Sequence, residues 1–222
     1  MKLELFHFPT ACSQVPFILL YEADAEFSVH YVDLRSEQQA THAFRQINPK
    51  GKVPVLLVDG KPLTENLAIQ FWIARQFKAA KLFPESLFEQ SEVLSLMTWC
   101  ASALHPSITP NVRPQRYCDL PGTEDAVRRC AQALLHSNFE VAEQRLTGNT
   151  FFFDEFTAAD AYFYWVYRRA VQVGFAASLY PNCAAHQSRM LGRTSVQRSL
   201  NWELEVNTIG SDALLPTVFG RR

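Results

Sequence analysis

Cys12 stands between two hydroxyl residues, Thr10 and Ser13, just ahead of the apolar run Val15, Phe17, Ile18, Leu19 and Leu20. That run reads as a mostly buried helix over residues 13–23. The three groups therefore crowd its first turn, where free backbone N–H groups and a partial positive charge lower the pKa of a thiol. Two chemistries fit: a thiolate nucleophile, or a hydroxyl that donates to a sulfur anion and so favours its ionised form. A second constellation is Glu65-Asn66, after the candidate cap Thr64 and ahead of Leu67, Ile69, Trp72, Ile73 and Phe77 at helical spacing. A helix N-terminus suits a carboxylate and Glu65 suits an ammonium, which together match the head of an α-amino acid. Acidic residues also favour a first turn for their charge alone.

Val53-Pro54 is a third feature. Proline removes a ladder donor from a strand-forming stretch, and X–Pro is where a cis peptide is cheapest. A cis turn there leaves the N–H and C=O of Val53 open to pair with an extended peptide, as a sheet edge does. An edge-strand proline with no ligand explains the same residues. Arg35 and Lys52 flank these segments and suit a carboxylate, although exposed basic residues are most often only solvated. His105 precedes Pro106, where a helix is expected to end. It can donate to a sulfur anion or pass a proton.

The elements that must carry these groups fall into two sets. Residues 3–8 and 27–32 alternate like strands, and with the helix between them they form a βαβ unit. A more polar helix is expected over 36–46 and a third strand over 53–58. The Asp59-Gly60 hairpin signal leads to a fourth strand, and a helix follows over 65–77. The expected pattern is βαβαββα, a mixed sheet in a domain over residues 1–80. All six lysines lie at or before Lys81, whereas 12 of the 15 arginines lie beyond it, and Leu82-Phe83-Pro84 breaks the chain there. An all-α domain is expected over 86–202, with helices over 87–104, 123–146, 157–173, 182–192 and 195–202. Thr157-Ala158-Ala159-Asp160 has capping-box spacing, with Asp in the place usual for Glu or Gln. Residues 203–222 carry little periodicity and read as a tail.

Composition narrows the partners. The 21 basic and 22 acidic side chains leave a formal charge of −1, which excludes a basic nucleic-acid face. No apolar run reaches the roughly 20 residues a membrane span needs, and Met1 to His7 holds no signal-peptide core. A cytoplasmic, soluble protein is expected. The five cysteines, with no C-x-x-C pair, form neither a disulfide framework nor a metal-ligand spacing, so no metal is expected and most read as small core residues.

The chain resembles the glutathione S-transferase superfamily, and is most similar to its bacterial beta class. The resemblance rests on Asn48-Pro49-Lys50-Gly51-Lys52-Val53-Pro54, on Leu63-Thr64-Glu65-Asn66-Leu67-Ala68-Ile69, on Thr10-Ala11-Cys12-Ser13, on Leu104-His105 and on Phe156-Thr157-Ala158-Ala159-Asp160. It spans residues 1 to about 202. It implies a thioredoxin-like first domain, an all-helical second domain, a homodimer, and glutathione as co-substrate. It further implies a cis Pro54, Val53 pairing with the ligand backbone, and Glu65 and Asn66 holding the γ-glutamyl group. Arg35 or Lys52 would meet the glycine carboxylate. Cys12 would contact the glutathione sulfur, with Ser13 and Thr10 as rivals and His105 facing the thiol. The activity implied is attack of the glutathione thiolate on a hydrophobic electrophile, in a detoxifying role. Two alternatives stay open: a glutathione-dependent thiol–disulfide oxidoreductase or lyase using Cys12 as nucleophile, and a non-catalytic glutathione-binding module.

Overall fold

In the computed structural model, which describes residues 1–209 and 217–219, the chain divides into two units: Met1–Leu82 with the described residues from Gly192 onward, and Phe83–Leu191. In the first unit β1 (Leu3–His7) and β2 (Phe27–Tyr31) pair in parallel, because α1 (Gln14–Glu22) carries the chain back between them. β3 (Val55–Val58) runs antiparallel to β1, and β4 (Lys61–Thr64) folds back on β3. The turn between them, Asp59-Gly60, has positive φ at both residues (48° and 80°), as a two-residue hairpin requires. The α3 helix (Asn66–Gln76) follows.

Two parts of this unit depart from the sequence pattern. The polar helix expected over 36–46 is a 3₁₀ turn (Gln38–Ala40) and a short α2 (His42–Ile47), separated at Thr41, whose hydroxyl oxygen accepts from Phe44 N–H and caps α2. The C-terminal segment is also more ordered than a tail. The last helix, α9, runs Thr194–Ile209, through the boundary expected at 202, and it groups with the first unit. Its buried face includes Val196, Ser199, Trp202, Glu203 and Val206. Beyond it β5 (Thr217–Phe219) pairs antiparallel with β2 and gives the sheet order β4-β3-β1-β2-β5. The rest of the expected tail lies outside the described residues.

The core explains why α1 is apolar on nearly every side. Phe17, Ile18, Leu19 and Leu20 have no exposed surface, since α3 and α9 pack on α1 in addition to the sheet. Each such side chain contributes about 1.5–3 kcal/mol by leaving water.

In the second unit α4 (Leu87–Trp99) passes through a π turn (Cys100–Leu104) into α5 (His105–Val112). The helix expected to end at Pro106 therefore continues. Pro106 sits in the first turn of α5, where its missing N–H breaks no α-helical bond, and the π turn takes up the mismatch. The remaining helices are α6 (Glu124–Arg145), α7 (Ala158–Gln172) and α8 (Pro181–Leu191). The capping box at α7 is present: Asp160 accepts from Thr157 N–H at 2.9 Å and from Phe152 N–H at 3.1 Å, and pairs with buried His186 at 3.1 Å. Of the cysteines expected in the core, only Cys100 and Cys183 are buried; Cys12 and Cys118 are half-buried and Cys130 is exposed.

Candidate active site

The loop before β3 is held by Asn48, which is buried. Its Nδ2 donates to the Lys52 carbonyl at 2.7 Å, its Oδ1 accepts from Lys50 N–H, and its own carbonyl accepts from Gly51 N–H. Gly51 is needed here twice over. Its φ is +60°, and a Cβ would stand 3.0 Å from the Gln39 carbonyl oxygen. This loop delivers Val53 to the start of β3, whose pairing register begins only at Val55. The Val53–Pro54 peptide is cis.

Cys12 faces this turn: its Sγ donates to the Val53 carbonyl at 3.9 Å. The expectation of a low-pKa thiol fails. Although the residue keeps partial exposure, burial of the sulfur pushes the Cys12 thiol up to about 12, and the Glu65 charge adds to the rise. The Asn66 side chain, the backbone at the start of α1 and Lys52 pull the other way and lose to desolvation. At neutral pH Cys12 is therefore a protonated donor.

Ser13 also departs from its expected place. It is wholly buried, its Oγ sits 2.6 Å from His7 Nδ1, and it accepts from Phe8 N–H. A hydroxyl enclosed this way positions the turn and does not face a ligand. Thr10 stands in the turn at φ 65°, and its N–H donates to the buried Glu203 carboxylate of α9 at 3.0 Å. The same helix holds α1 through Gln14 Nε2 to Ser199 Oγ at 3.0 Å and through a bidentate Arg193–Glu22 pair at 2.8 Å for each bond.

Glu65 precedes α3 at φ 72°, a strained backbone of the kind found at ligand sites. Its carboxylate pairs with Lys50 Nζ, which also donates to Thr64 Oγ1 at 2.8 Å. Asn66 contributes differently from expectation. Its Nδ2 donates to the Cys12 carbonyl and its Oδ1 accepts from Gln70, so its backbone N–H at the helix start is the group suited to a carboxylate. Arg35 is exposed. Its guanidinium bonds Tyr31 Oη at 3.0 Å and Asp33 at 3.4 Å, and lies 5.7 Å from the centre of the Phe8 ring.

Thr10, Cys12, Arg35, Lys52, Val53, Pro54, Glu65 and Asn66 thus all belong to the first unit. His105 belongs to the second, where its Nδ1 lies 3.2 Å from Tyr162 Oη and its ring packs edge-on against Trp165. Sequence reasoning missed Lys50, Gln70 and Glu203. Lys50 lay within a quoted motif, while Glu203 lay in a stretch with no visible period. Among the described residues no group of three or more His, Cys, Asp or Glu side chains could hold a metal.

The family model for the glutathione S-transferase N-terminal domain matches residues 1–75, and that for the C-terminal domain matches residues 70–186. The chain belongs to the glutathione S-transferase family. Among its relatives, glutathione S-transferase GstA of Escherichia coli O157:H7 is 30% identical over 205 residues, covering 90% of this chain and 98% of that protein. A sphingomonad glutathione S-transferase solved in complex with glutathione is 32% identical with a TM-score of 0.79, covering 90% of this chain and 98% of that one. The bacterial beta class glutathione S-transferase of Sphingomonas chungbukensis is 32% identical with a TM-score of 0.80 and the same coverage. These neighbours bear out the resemblance to the beta class. As in other glutathione S-transferases, the chain combines a mixed-sheet, thioredoxin-like domain with a mostly helical one.

Proposed function

We propose that this glutathione S-transferase binds glutathione along the first unit and activates its sulfur for attack on a hydrophobic electrophile. The observation that carries the reading is the convergence of Cys12 Sγ, the Val53 carbonyl and the Glu65–Asn66 helix start within one unit. In this reading the γ-glutamyl ammonium meets Glu65 and its carboxylate meets the first N–H groups of α3. The cysteinyl backbone pairs with Val53, and Arg35 or Lys52 meets the glycine carboxylate. The ligand sulfur lies beside Cys12.

A protonated Cys12 donates to the glutathione thiolate and favours its ionised form. The thiolate then forms a C–S bond with the electrophilic carbon, and the leaving group departs with its electron pair. Holding the two reactants together supplies the other rate factor. His105 is proposed to assist proton transfer, on the strength of its motif position. The rival reading, Cys12 as nucleophile in thiol–disulfide exchange, is disfavoured by the burial that keeps its thiol protonated.

Homodimerisation is part of the proposal. Leu87 and Phe88 of α4 and Leu134 and Val141 of α6 are large apolar side chains left exposed. A cytoplasmic, detoxifying role follows from the same reading, and among the described residues no helix is long and apolar enough to cross a membrane.

Titration calorimetry with glutathione, followed by turnover of an aryl halide, tests the proposal. Saturable binding with conjugate formation is the expected result. Absence of heat at millimolar glutathione overturns it, and binding without turnover of any electrophile leaves only the non-catalytic module.

A further inference from the structure

Gln70 lies one turn beyond Asn66 on α3 and has no exposed surface. A buried carboxamide loses hydration on both its oxygen and its nitrogen, so such groups persist where they find partners. Gln70 Nε2 donates to Asn66 Oδ1 at 3.0 Å, and Asn66 Nδ2 donates to the Cys12 carbonyl at 3.0 Å. Gln70 Oε1 is buried with no hydrogen-bond partner among the described residues. Replacing such a group by an apolar side chain of similar size removes an unmet acceptor. Packing alone therefore does not account for glutamine at this position.

The direction of the chain of bonds does account for it. Because Asn66 Oδ1 accepts from Gln70, the Asn66 amide nitrogen is turned toward Cys12. The carbonyl it reaches also accepts from Val15 N–H, the first turn of α1. Two donors from two different helices thus hold one peptide, the one that follows the Cys12 side chain. We propose that the Asn66 and Gln70 carboxamides form a buried positioning relay that sets the Cys12 turn, and with it the place of the reacting sulfur, from within α3. Neither side chain needs to touch the electrophile. Asn66 has a second effect, since its side chain favours the ionised form of the Cys12 thiol, although burial outweighs it.

The relay rests on the reading of this site as the glutathione site, so its test has one arm that uses glutathione and one that does not. Gln70→Leu and Gln70→Met both remove the donor and keep most of the volume. In the first arm KM for glutathione, kcat with an aryl halide and the thermal midpoint are measured. One weakened hydrogen bond predicts a KM about two- to tenfold higher. The kcat is expected to stay within about twofold, and the midpoint to hold or rise as the unmet acceptor disappears.

In the second arm Cys12 alkylation by iodoacetamide is followed by peptide mass spectrometry without glutathione. A thiol pKa about one unit higher leaves tenfold less thiolate but a more nucleophilic one, so alkylation slows about threefold. Unchanged KM together with unchanged alkylation in both variants overturns the relay, as does a loss of KM, kcat and midpoint in step. Failure of the wild-type protein to bind glutathione overturns the functional reading instead, and the alkylation arm then decides the relay by itself.

Discussion

Glu65→Gln is the sharpest test of the ligand head site. In the free protein the Glu65 carboxylate is paired with Lys50, but the two side chains are 66% and 47% exposed. Solvent screening limits such a pair to about 0–1 kcal/mol, so folding has little to lose. A bound γ-glutamyl ammonium meets the same carboxylate in a site it helps to dry, where a hydrogen bond between charged groups contributes about 1.5–3 kcal/mol. Displacing Lys50 offsets up to about 1 kcal/mol of that. The remainder of about 1–2 kcal/mol corresponds to roughly five- to thirtyfold weaker glutathione binding. Calorimetry gives the affinity, and a thermal melt run alongside is expected to show a midpoint within about 2 °C of wild type. N-acetylglutathione, which lacks the ammonium, is expected to bind weakly to both proteins and to be indifferent to the substitution. Wild-type affinity in Glu65→Gln refutes the assignment of the ammonium to Glu65. So does an equal loss for the acetylated ligand.

Further outcomes follow from the same geometry. The Cys12 thiol is raised from its ordinary 9.0 to about 12, so its contribution to stability is full below pH 9 and declines as pH rises toward 12. At pH 10 the loss is about 1 kcal/mol, and Cys12→Ala is expected to flatten that part of a denaturant-midpoint-against-pH curve while retaining some conjugating activity. Gly51→Ala forces a side chain into φ +60° and against the Gln39 carbonyl, costing about 1–3 kcal/mol. It is expected to raise KM for glutathione, since Lys52 and Val53 follow directly; a wild-type melt and KM would show the loop to be tolerant. Asp160→Ala strips partners from Thr157, Phe152 and His186, all buried or part-buried. A loss of about 3 kcal/mol or more in urea unfolding is expected.

How much of this was legible beforehand differs from residue to residue. Val53-Pro54, Thr64-Glu65 and the Asp59-Gly60 turn were readable because backbone requirements at those places are local. A hairpin needs positive φ, and a helix start needs its free N–H groups met. The strand and helix order of the first unit was readable for the same reason, through periodicity. The state of Cys12 was not. Its helix terminus predicts a lowered thiol pKa, while the protein packed around the sulfur raises it, and that packing sums contributions from Val53, Glu65 and Asn66, which lie 41 to 54 residues away along the chain.

Ser13 and Thr10 look alike in sequence, yet one hydroxyl is turned inward to His7 and the other residue's N–H is tied to Glu203. Glu203 itself carries no local signal, because its role depends on α9 returning to the first unit. By itself the amino-acid order determined the element types, the two-part organisation and the residues able to meet a zwitterionic peptide. Tertiary structure alone decided which of those side chains are charged, which are enclosed and which position others. Turn chemistry acts over neighbouring residues, whereas desolvation and hydrogen-bond partnership are set by whatever the fold brings alongside.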